Sequence, residues 1–143
     1  MTDRIAVKLL RPGARLPERA TAHASGLDLY ACLEAPVEVG QRPVLVPTGI
    51  AIEAAPGLDV QVRPRSGLAR KGVLCTFGTI DADYRGELLV TLYTVAPGIT
   101  HVIHDGDRIA QLVVGRLVEA ELIEVAELSA TERGAGGHGS TGR

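Results

Sequence analysis

Turn-forming residues divide the chain into short apolar or alternating runs. Nine such runs occur, at residues 5–10, 27–33, 44–53, 58–62, 73–77, 88–95, 100–103, 108–117 and 122–125. Proline, glycine and Asp-Gly pairs separate them, as at Pro12-Gly13, Pro56-Gly57 and Asp105-Gly106. Strands of this length and spacing are typical of an all-β sandwich or barrel, and the pattern does not support parallel βαβ units.

The same pattern predicts one domain with a distinct C-terminal segment. At 143 residues the chain can form one buried core, and no internal segment has the composition of a long linker. One short helix is predicted at 67–71, with Ser66 as its N-cap and Gly72 as its stop. From residue 131 glycines dominate, and no apolar side chain larger than alanine remains. We therefore expect a β domain over 1–130 and a flexible Gly-rich arm over 131–143.

The composition argues against several classes of partner. A net charge of −2 gives no general attraction for polyanions, so neither nucleic acid nor a membrane surface is expected as a partner. No apolar run reaches membrane-spanning length, and we expect a soluble protein. Cys32 and Cys75 have no motif spacing, which disfavours a disulfide framework or a zinc site. Reduced thiols favour a cytoplasmic location.

Residues 78–87 are the strongest candidate for a functional segment. The β-favouring residues Thr79-Ile80 and 88–90 flank the turn formers Asp83 and Gly86. This pattern predicts a tight hairpin with Asp81 and Tyr84 at or near its tip. A carboxylate, an aromatic ring and backbone polar groups would then share one bend. Loops held by strands commonly carry function.

Two further segments have the chemistry of phosphate binding. Arg65-Ser66-Gly67 opens the predicted helix, so backbone N–H groups and the helix dipole would lie beside a guanidinium. Taken alone, this segment is more simply a strand-to-helix turn with a solvated Arg65. The tail from 133 to 142 combines Arg133 with two hydroxyls and five glycines, which can wrap an anion. Taken alone, the tail is more simply disordered.

Two polar residues interrupt apolar segments and therefore need partners. Asp28 is either a holder of magnesium or its water, or half of a structural salt bridge with an arginine, and the sequence favours neither. The amide of Gln111 must hydrogen-bond either a ligand phosphate or, more simply, a neighbouring backbone group. His101 and His104 lie three apart on a predicted strand and point to opposite faces, which disfavours a shared metal.

In order, these segments resemble the five motifs of the homotrimeric dUTPase family, the deoxyuridine triphosphate nucleotidohydrolases. The resemblance extends from 24 to 142, through segments 24–31, 64–69, 78–87, 106–112 and 133–142. It implies a jelly-roll-like β fold and a homotrimer with active sites at the subunit interfaces. It also implies Mg²⁺-assisted hydrolysis of dUTP to dUMP and pyrophosphate, which limits uracil in DNA and supplies dUMP for dTTP synthesis.

The resemblance also implies a role for each candidate residue. Asp81 would orient and deprotonate the water that attacks the α-phosphorus, and Tyr84 would pack on the deoxyribose where a 2′-hydroxyl would clash. Asp28 would contact the metal only through water. The hairpin backbone would contact the substrate through Gly78, Thr79 and Ile80. The phosphates would be held by Arg65, Ser66, Gly67 and Gln111. The arm would close as a lid and contribute Arg133, His138, Gly139, Ser140 and Thr141.

Two positions depart from the family's pattern. His138 stands where a phenylalanine commonly stacks on the base, and its ring can still stack. Cys75-Thr76-Phe77 stands where many relatives carry Asn-x-Pro, so a side-chain amide at the uracil edge is missing. Backbone groups could still read the base.

Two other functions are weighed against dUTP hydrolysis. A dCTP deaminase resembles this family in fold and early motifs, but it would want a glutamate where Thr91 stands. A non-catalytic nucleotide-binding β domain would be expected to have lost its base or its lid, and this chain retains Asp81 and Arg133. Neither alternative accounts for the whole set of motifs.

Overall fold

Short strands dominate the structure, a computed structural model that describes residues 3–142. Eleven strands and one five-residue helix occur within those residues. In chain order they are β1 (Ile5–Leu9), β2 (Gly26–Tyr30), β3 (Val37–Val39), β4 (Val44–Pro47), β5 (Ile50–Ala54), β6 (Leu58–Arg63), α1 (Ser66–Arg70), β7 (Val73–Cys75), β8 (Gly78–Ile80), β9 (Leu89–Thr94), β10 (His101–Ile103) and β11 (Arg108–Arg116). The prediction of an all-β fold is confirmed. No helix in this part of the chain has the length and apolarity needed to cross a membrane.

All the strand pairs are antiparallel and form four small sheets. Their strand orders are β1-β5, β10-β3, β2-β11-β6-β8 and β4-β9-β7. Side chains that alternate inward from these sheets meet in one aliphatic core, which includes Leu29, Val46, Leu92, Ile103 and Ile109. Each of these is at most 1% exposed, and burying such a side chain stabilises the fold by about 1.5–3 kcal/mol. The core therefore gives the surface loops a rigid support.

The short helix begins one residue earlier than predicted. α1 starts at Ser66, and Arg65 occupies the N-cap position with no side-chain capping bond. The prediction that Ser66 is the cap is therefore wrong. Arg65 has extended backbone angles and its side chain bonds residues of the neighbouring strands instead. The predicted stop is confirmed, since Gly72 follows the helix at φ +79°.

The segment 78–87 is not a hairpin of two paired strands. β8 pairs with β6, whereas β9 pairs with β4 and β7, so the segment crosses from one sheet to another. A turn is present inside it, because Tyr84 N donates to Asp81 O at 3.0 Å. Turn-forming residues mark where the chain bends, but the choice of pairing partner depends on β6, which is distant in sequence.

The predicted strand at 122–125 is also wrong. After β11 ends at Arg116 the described chain contains neither strand nor helix, and Leu122 is 95% exposed. An apolar run without a partner strand cannot satisfy a ladder of hydrogen bonds, whatever its composition. The run at 44–53 is divided into β4 and β5, with Gly49 at φ +71° between them. The division of the chain at residue 131 stays a prediction.

Candidate functional site

Three of the predicted segments meet in one cavity of about 250 Å³. Its walls come from β2, β11, α1 and the loop before β2. The register of the sheet explains the meeting, because Gln111 of β11 lies opposite Asp28 of β2 on one side and Arg63 of β6 on the other. The lining residues are Ala20, Ala24, Ser25, Gly26, Asp28, Arg65, Ser66, Gly67 and Gln111.

Asp28 lies between two arginines at the base of this cavity. Its Oδ1 accepts a hydrogen bond from Arg65 Nε at 3.0 Å, and its Oδ2 lies 3.6 Å from Arg108 Nη1. Arg65 Nη1 also donates to the carbonyl of Arg108 at 3.2 Å. Asp28 thus forms the salt bridge that was one of the two alternatives, and its contact with magnesium through water stays a prediction. The sequence interpretation missed Arg108, which comes close to Asp28 only because β2 and β11 pair.

These contacts orient the Arg65 guanidinium. Two of its nitrogens are occupied by Asp28 and Arg108, whereas Nη2 makes no hydrogen bond within residues 3–142. The side chain is 26% exposed and lines the cavity. A guanidinium held on one edge and open on another is suited to an anion, because little side-chain entropy remains to be lost.

Gln111 is held by backbone contacts rather than by another side chain. Its Nε2 donates to Pro64 O at 2.9 Å, which is the backbone alternative predicted from the sequence. Its Oε1 occupies the space beside Gly26, where an added Cβ would lie 2.0 Å from that oxygen. Gly26 is thus needed for the amide to sit here, a role that the sequence interpretation did not assign.

The first turn of α1 completes the polar lining. Ser66 and Gly67 are both exposed, and Ser66 is the first residue of the helix. The cavity thus combines a guanidinium, an amide and a hydroxyl around one partly buried carboxylate. This combination suits a phosphate-bearing ligand more than an apolar one.

Asp81 lies outside this cavity. It is exposed and lines a second hollow of about 250 Å³, together with Thr79, Ile80, Leu117 and Glu119 among others. The two hollows have no lining residue in common. Within one chain, the structure therefore does not bring Asp81 to the phosphate-binding groups.

The Tyr84 side chain is held by a hydrogen bond to the backbone that follows its own turn. Its hydroxyl donates to the carbonyl of Glu87 at 2.9 Å. Its ring covers Gly86, where an added Cβ would lie 2.4 Å from the hydroxyl oxygen. Tyr84 as a whole remains 44% exposed, which leaves part of the residue available to a ligand.

Cys75 faces the core rather than the surface. It is 7% exposed, and its thiol lies 3.1 Å from the carbonyl of Thr76. Burial raises the pKa of the Cys75 thiol to about 11. The next aromatic residue, Phe77, is 71% exposed. A thiol held in the core cannot replace an exposed amide as a contact to a ligand.

The C-terminal candidates lie away from both hollows. Arg133, His138, Gly139, Ser140 and Thr141 are exposed and line neither of them. Local bonds fold the segment on itself, since Arg133 Nε donates to Gly136 O at 2.7 Å. His138 has φ +51°, a conformation that favours glycine. Contacts of these residues with a substrate stay predictions.

Comparison with known families matches residues 13–142 to the family described as dUTPase. Two curated relatives are named deoxyuridine 5'-triphosphate nucleotidohydrolase. The one from Nautilia profundicola is 46% identical over 143 residues, covering 98% of this chain and 99% of the relative. The one from Treponema denticola is 48% identical over 137 residues, covering 93% and 94%.

Solved structures of phage dUTPases share the fold. A mutant dUTPase of Staphylococcus bacteriophage 80alpha with dUpNHpp is 28% identical and has a TM-score of 0.86, covering 99% of this chain and 100% of that one. A mutant dUTPase from phage phi11 of S. aureus, described with a structural Mg(II) ion, is 25% identical with a TM-score of 0.80, covering 90% and 100%. The jelly-roll-like prediction is confirmed by these likenesses.

Proposed function

This chain belongs to the dUTPase family, and we propose that it hydrolyses dUTP to dUMP and pyrophosphate with Asp81 as the general base. The observation that carries the proposal is the cavity in which Arg65, Ser66 and Gln111 converge. Its polar groups match a triphosphate. Hydrolysis of dUTP would limit uracil in DNA and supply dUMP for dTTP synthesis, in the cytoplasm.

The phosphates are bound by Arg65, Ser66, Gly67 and Gln111. Arg65 offers Nη2 as a charged donor, because its other nitrogens are held by Asp28 and Arg108. Charge-assisted hydrogen bonds of this kind are roughly twice as strong as neutral ones. They also neutralise the charge that grows on the leaving pyrophosphate during attack.

The residues present fit a magnesium ion that is carried mainly by the substrate. Within residues 3–142 no three His, Cys, Asp or Glu side chains cluster to hold a metal. Mg²⁺ dehydrates reluctantly and is commonly held by phosphate oxygens, water and one or two carboxylates. Asp28 would hold it through water. When bound, the ion supplies positive charge at the phosphate oxygens.

Uracil and deoxyribose are recognised by the segment that carries Asp81, the proposed general base. β8 is an edge strand, so the backbone groups of Gly78, Thr79 and Ile80 on its outer edge have no partner strand within the described part of the chain. These groups can pair with the uracil edge. The exposed ring of Tyr84 packs on the deoxyribose and excludes a 2′-hydroxyl, and Asp81 orients and deprotonates the attacking water.

A homotrimer with active sites at the subunit interfaces would complete the site. In one chain Asp81 and the phosphate-binding cavity lie in separate hollows, and a second copy would bring them together. Six apolar side chains after β11 are at least half exposed and would be covered by such an assembly, namely Leu117, Val118, Leu122, Ile123, Val125 and Leu128. The Gly-rich arm over 131–143 would then close on the phosphates through Arg133, Ser140 and Thr141. His138 and Gly139 of the arm would lie at the uracil ring.

Pyrophosphate release from dUTP with Mg²⁺ tests the proposal. We expect Asp81→Asn to lower kcat by about 10²–10⁴, because the water loses its general base. Asp83→Asn is the matched control, since Asp83 is an exposed carboxylate in the same turn, and it is expected to remain close to wild type. A chain ending before Arg133 is expected to lose most activity. Wild-type turnover by Asp81→Asn, or ammonia release from dCTP, would contradict the assignment.

A further inference from the structure

An ion pair between Arg11, which lies outside the predicted motifs, and Glu87 supports the turn that carries Tyr84. Arg11 Nη2 lies 2.5 Å from Glu87 Oε1, and the same oxygen accepts a hydrogen bond from Gly49 N at 2.7 Å. The main-chain carbonyl of Glu87 accepts the Tyr84 hydroxyl at 2.9 Å. One residue, Glu87, thus connects Arg11 through its side chain with Tyr84 through its backbone.

The support beneath Glu87 is rigid. Leu88 is 1% exposed, and its N–H donates to Ile50 O at 2.9 Å. Thr48 Oγ1 donates to Leu88 O at 2.6 Å. Gly49 has φ +71°, and a Cβ there would lie 2.9 Å from Cys32 Sγ, so the turn that receives Glu87 is itself closely packed.

Arg11 is attached to the same support. The residue before it donates from its backbone N–H to Gly49 O at 2.8 Å, so Arg11 leaves β1 directly beside the turn. The Arg11 and Glu87 side chains are 38% and 24% exposed. A charge-assisted bond that is partly shielded from water restrains its partners more than a fully solvated pair does.

We propose that Arg11 is a positioning residue for sugar discrimination: by holding Glu87, it fixes the carbonyl that aligns the Tyr84 ring. The inference rests on the proposed function, because it assigns to that ring the exclusion of ribonucleotides. A ring rejects a 2′-hydroxyl by steric clash, so the Tyr84 ring must be held against displacement to discriminate between the sugars. Without Arg11, Glu87 keeps the Gly49 contact, and its peptide keeps the bond from Leu88 N to Ile50 O, but the residue loses its charged partner and the Tyr84 ring is held less tightly.

The kcat/KM values for dUTP and UTP measure this effect. We expect Arg11→Ala and Glu87→Gln each to lower the dUTP:UTP ratio about tenfold, the effect of losing one charged hydrogen bond. Arg11→Lys keeps the charge and is expected to restore most of the ratio. Arg116→Ala removes an exposed ion pair with Asp3 that is remote from this turn, and serves as the matched control.

A second comparison separates alignment of the ring from general loosening of the fold. In a Tyr84→Phe variant the hydroxyl that donates to the Glu87 carbonyl is absent. Adding Arg11→Ala to this variant is therefore expected to leave the dUTP:UTP ratio of kcat/KM values unchanged. Thermal melting identifies any variant that fails to fold, in which case Arg11→Lys and Glu87→Gln decide the question.

The possible outcomes are distinguishable. If the wild-type chain does not hydrolyse dUTP, the proposed function fails and this inference fails with it. If the wild type hydrolyses dUTP and rejects UTP, but Arg11→Ala and Glu87→Gln lower both kcat/KM values equally or not at all, only the role of Arg11 is overturned. A tenfold loss of the ratio that Arg11→Lys reverses supports it.

Discussion

Cys75 shows how the environment of a single side chain decides its chemistry. The residue stands three positions before Gly78, where the segment that we assign to base recognition begins, yet its thiol is packed in the core beside the Thr76 carbonyl. Burial disfavours the charged thiolate, and the pKa is raised to about 11. The thiol is therefore expected to remain protonated and unreactive where an exposed cysteine would ionise.

Alkylation by iodoacetamide tests this expectation in a Cys32→Ala variant, which leaves one thiol. In denaturant we expect the rate to rise with a midpoint near pH 8.5, the ordinary pKa of cysteine. In the native protein the rate is expected to stay low through about pH 9.5, because the native thiol keeps its proton. The same difference makes the free energy of unfolding decrease as pH rises between the two pKa values. Equal pH profiles in both states would contradict the buried location.

The sequence predicted which residues need partners better than it predicted the partners. Asp28 and Gln111 were recognised as polar groups in apolar segments, and each bonds a residue 37 or 47 positions away. Such partners are chosen by the sheet register, which a local pattern does not contain. Arg108 was missed for the same reason, because its proximity to Asp28 arises only when β2 and β11 pair.

Pairs of strands, rather than single residues, give the candidate site its shape. β11 lies between β2 and β6, so its middle section determines the distance between the Asp28 carboxylate and the loop that enters α1. Gly26 allows this arrangement because its missing side chain leaves room for the Gln111 amide. We therefore expect the fit between β2 and β11 to affect both the stability of the fold and the proposed ligand binding.

Replacement of Gly26 by alanine tests this coupling. The added Cβ would lie 2.0 Å from Gln111 Oε1, so the amide must move and lose its bond to Pro64. We expect the free energy of unfolding in urea to fall by about 1–2 kcal/mol and the KM for dUTP to rise. Gly67→Ala is the control for stability, because nothing lies within 4 Å of its Cβ position. Unchanged stability in Gly26→Ala would show that the amide moves freely.

At the level of elements, the apolar runs predicted the strands more reliably than their pairing. Most runs coincide with strands, because alternation and turn residues are local signals. The pairing of β8 with β6 and the absence of a strand at 122–125 depend on neighbours that the run itself does not specify. The three-residue β3 lies beside Pro36 and was not among the predicted runs.

The whole molecule has the features of an incomplete unit. Its two candidate hollows are separate, and the chain after β11 exposes large apolar side chains such as Leu122 and Leu128. Exposed apolar surface of this kind marks an interaction site. Burial of this apolar surface against a second copy would favour association by about 25 cal/mol per Å² of surface removed from water.

Two truncated chains distinguish the role of the apolar segment in assembly from the role of the Gly-rich arm in activity. A chain ending at Ala130 keeps the apolar segment and is expected to keep the oligomeric state of the full chain while losing activity. A chain ending at Leu117 lacks that segment and is expected to dissociate at lower concentration, because Leu122, Ile123 and Leu128 no longer contribute to the interface. Light scattering after size exclusion gives both masses. A monomeric full-length chain would contradict the proposed trimer.

The open edge of β8 has a consequence for how this protein can change over generations. The groups that it presents belong to the main chain, and every residue except proline carries both of them. A recognition surface made of main-chain groups keeps its hydrogen-bonding groups when Thr79 or Ile80 is substituted. A surface made of one side chain loses its hydrogen-bonding group when that residue is substituted. We therefore expect variation before this strand, at Cys75 for example, to be tolerated, because substitution of a side chain leaves the main-chain groups of β8 in place.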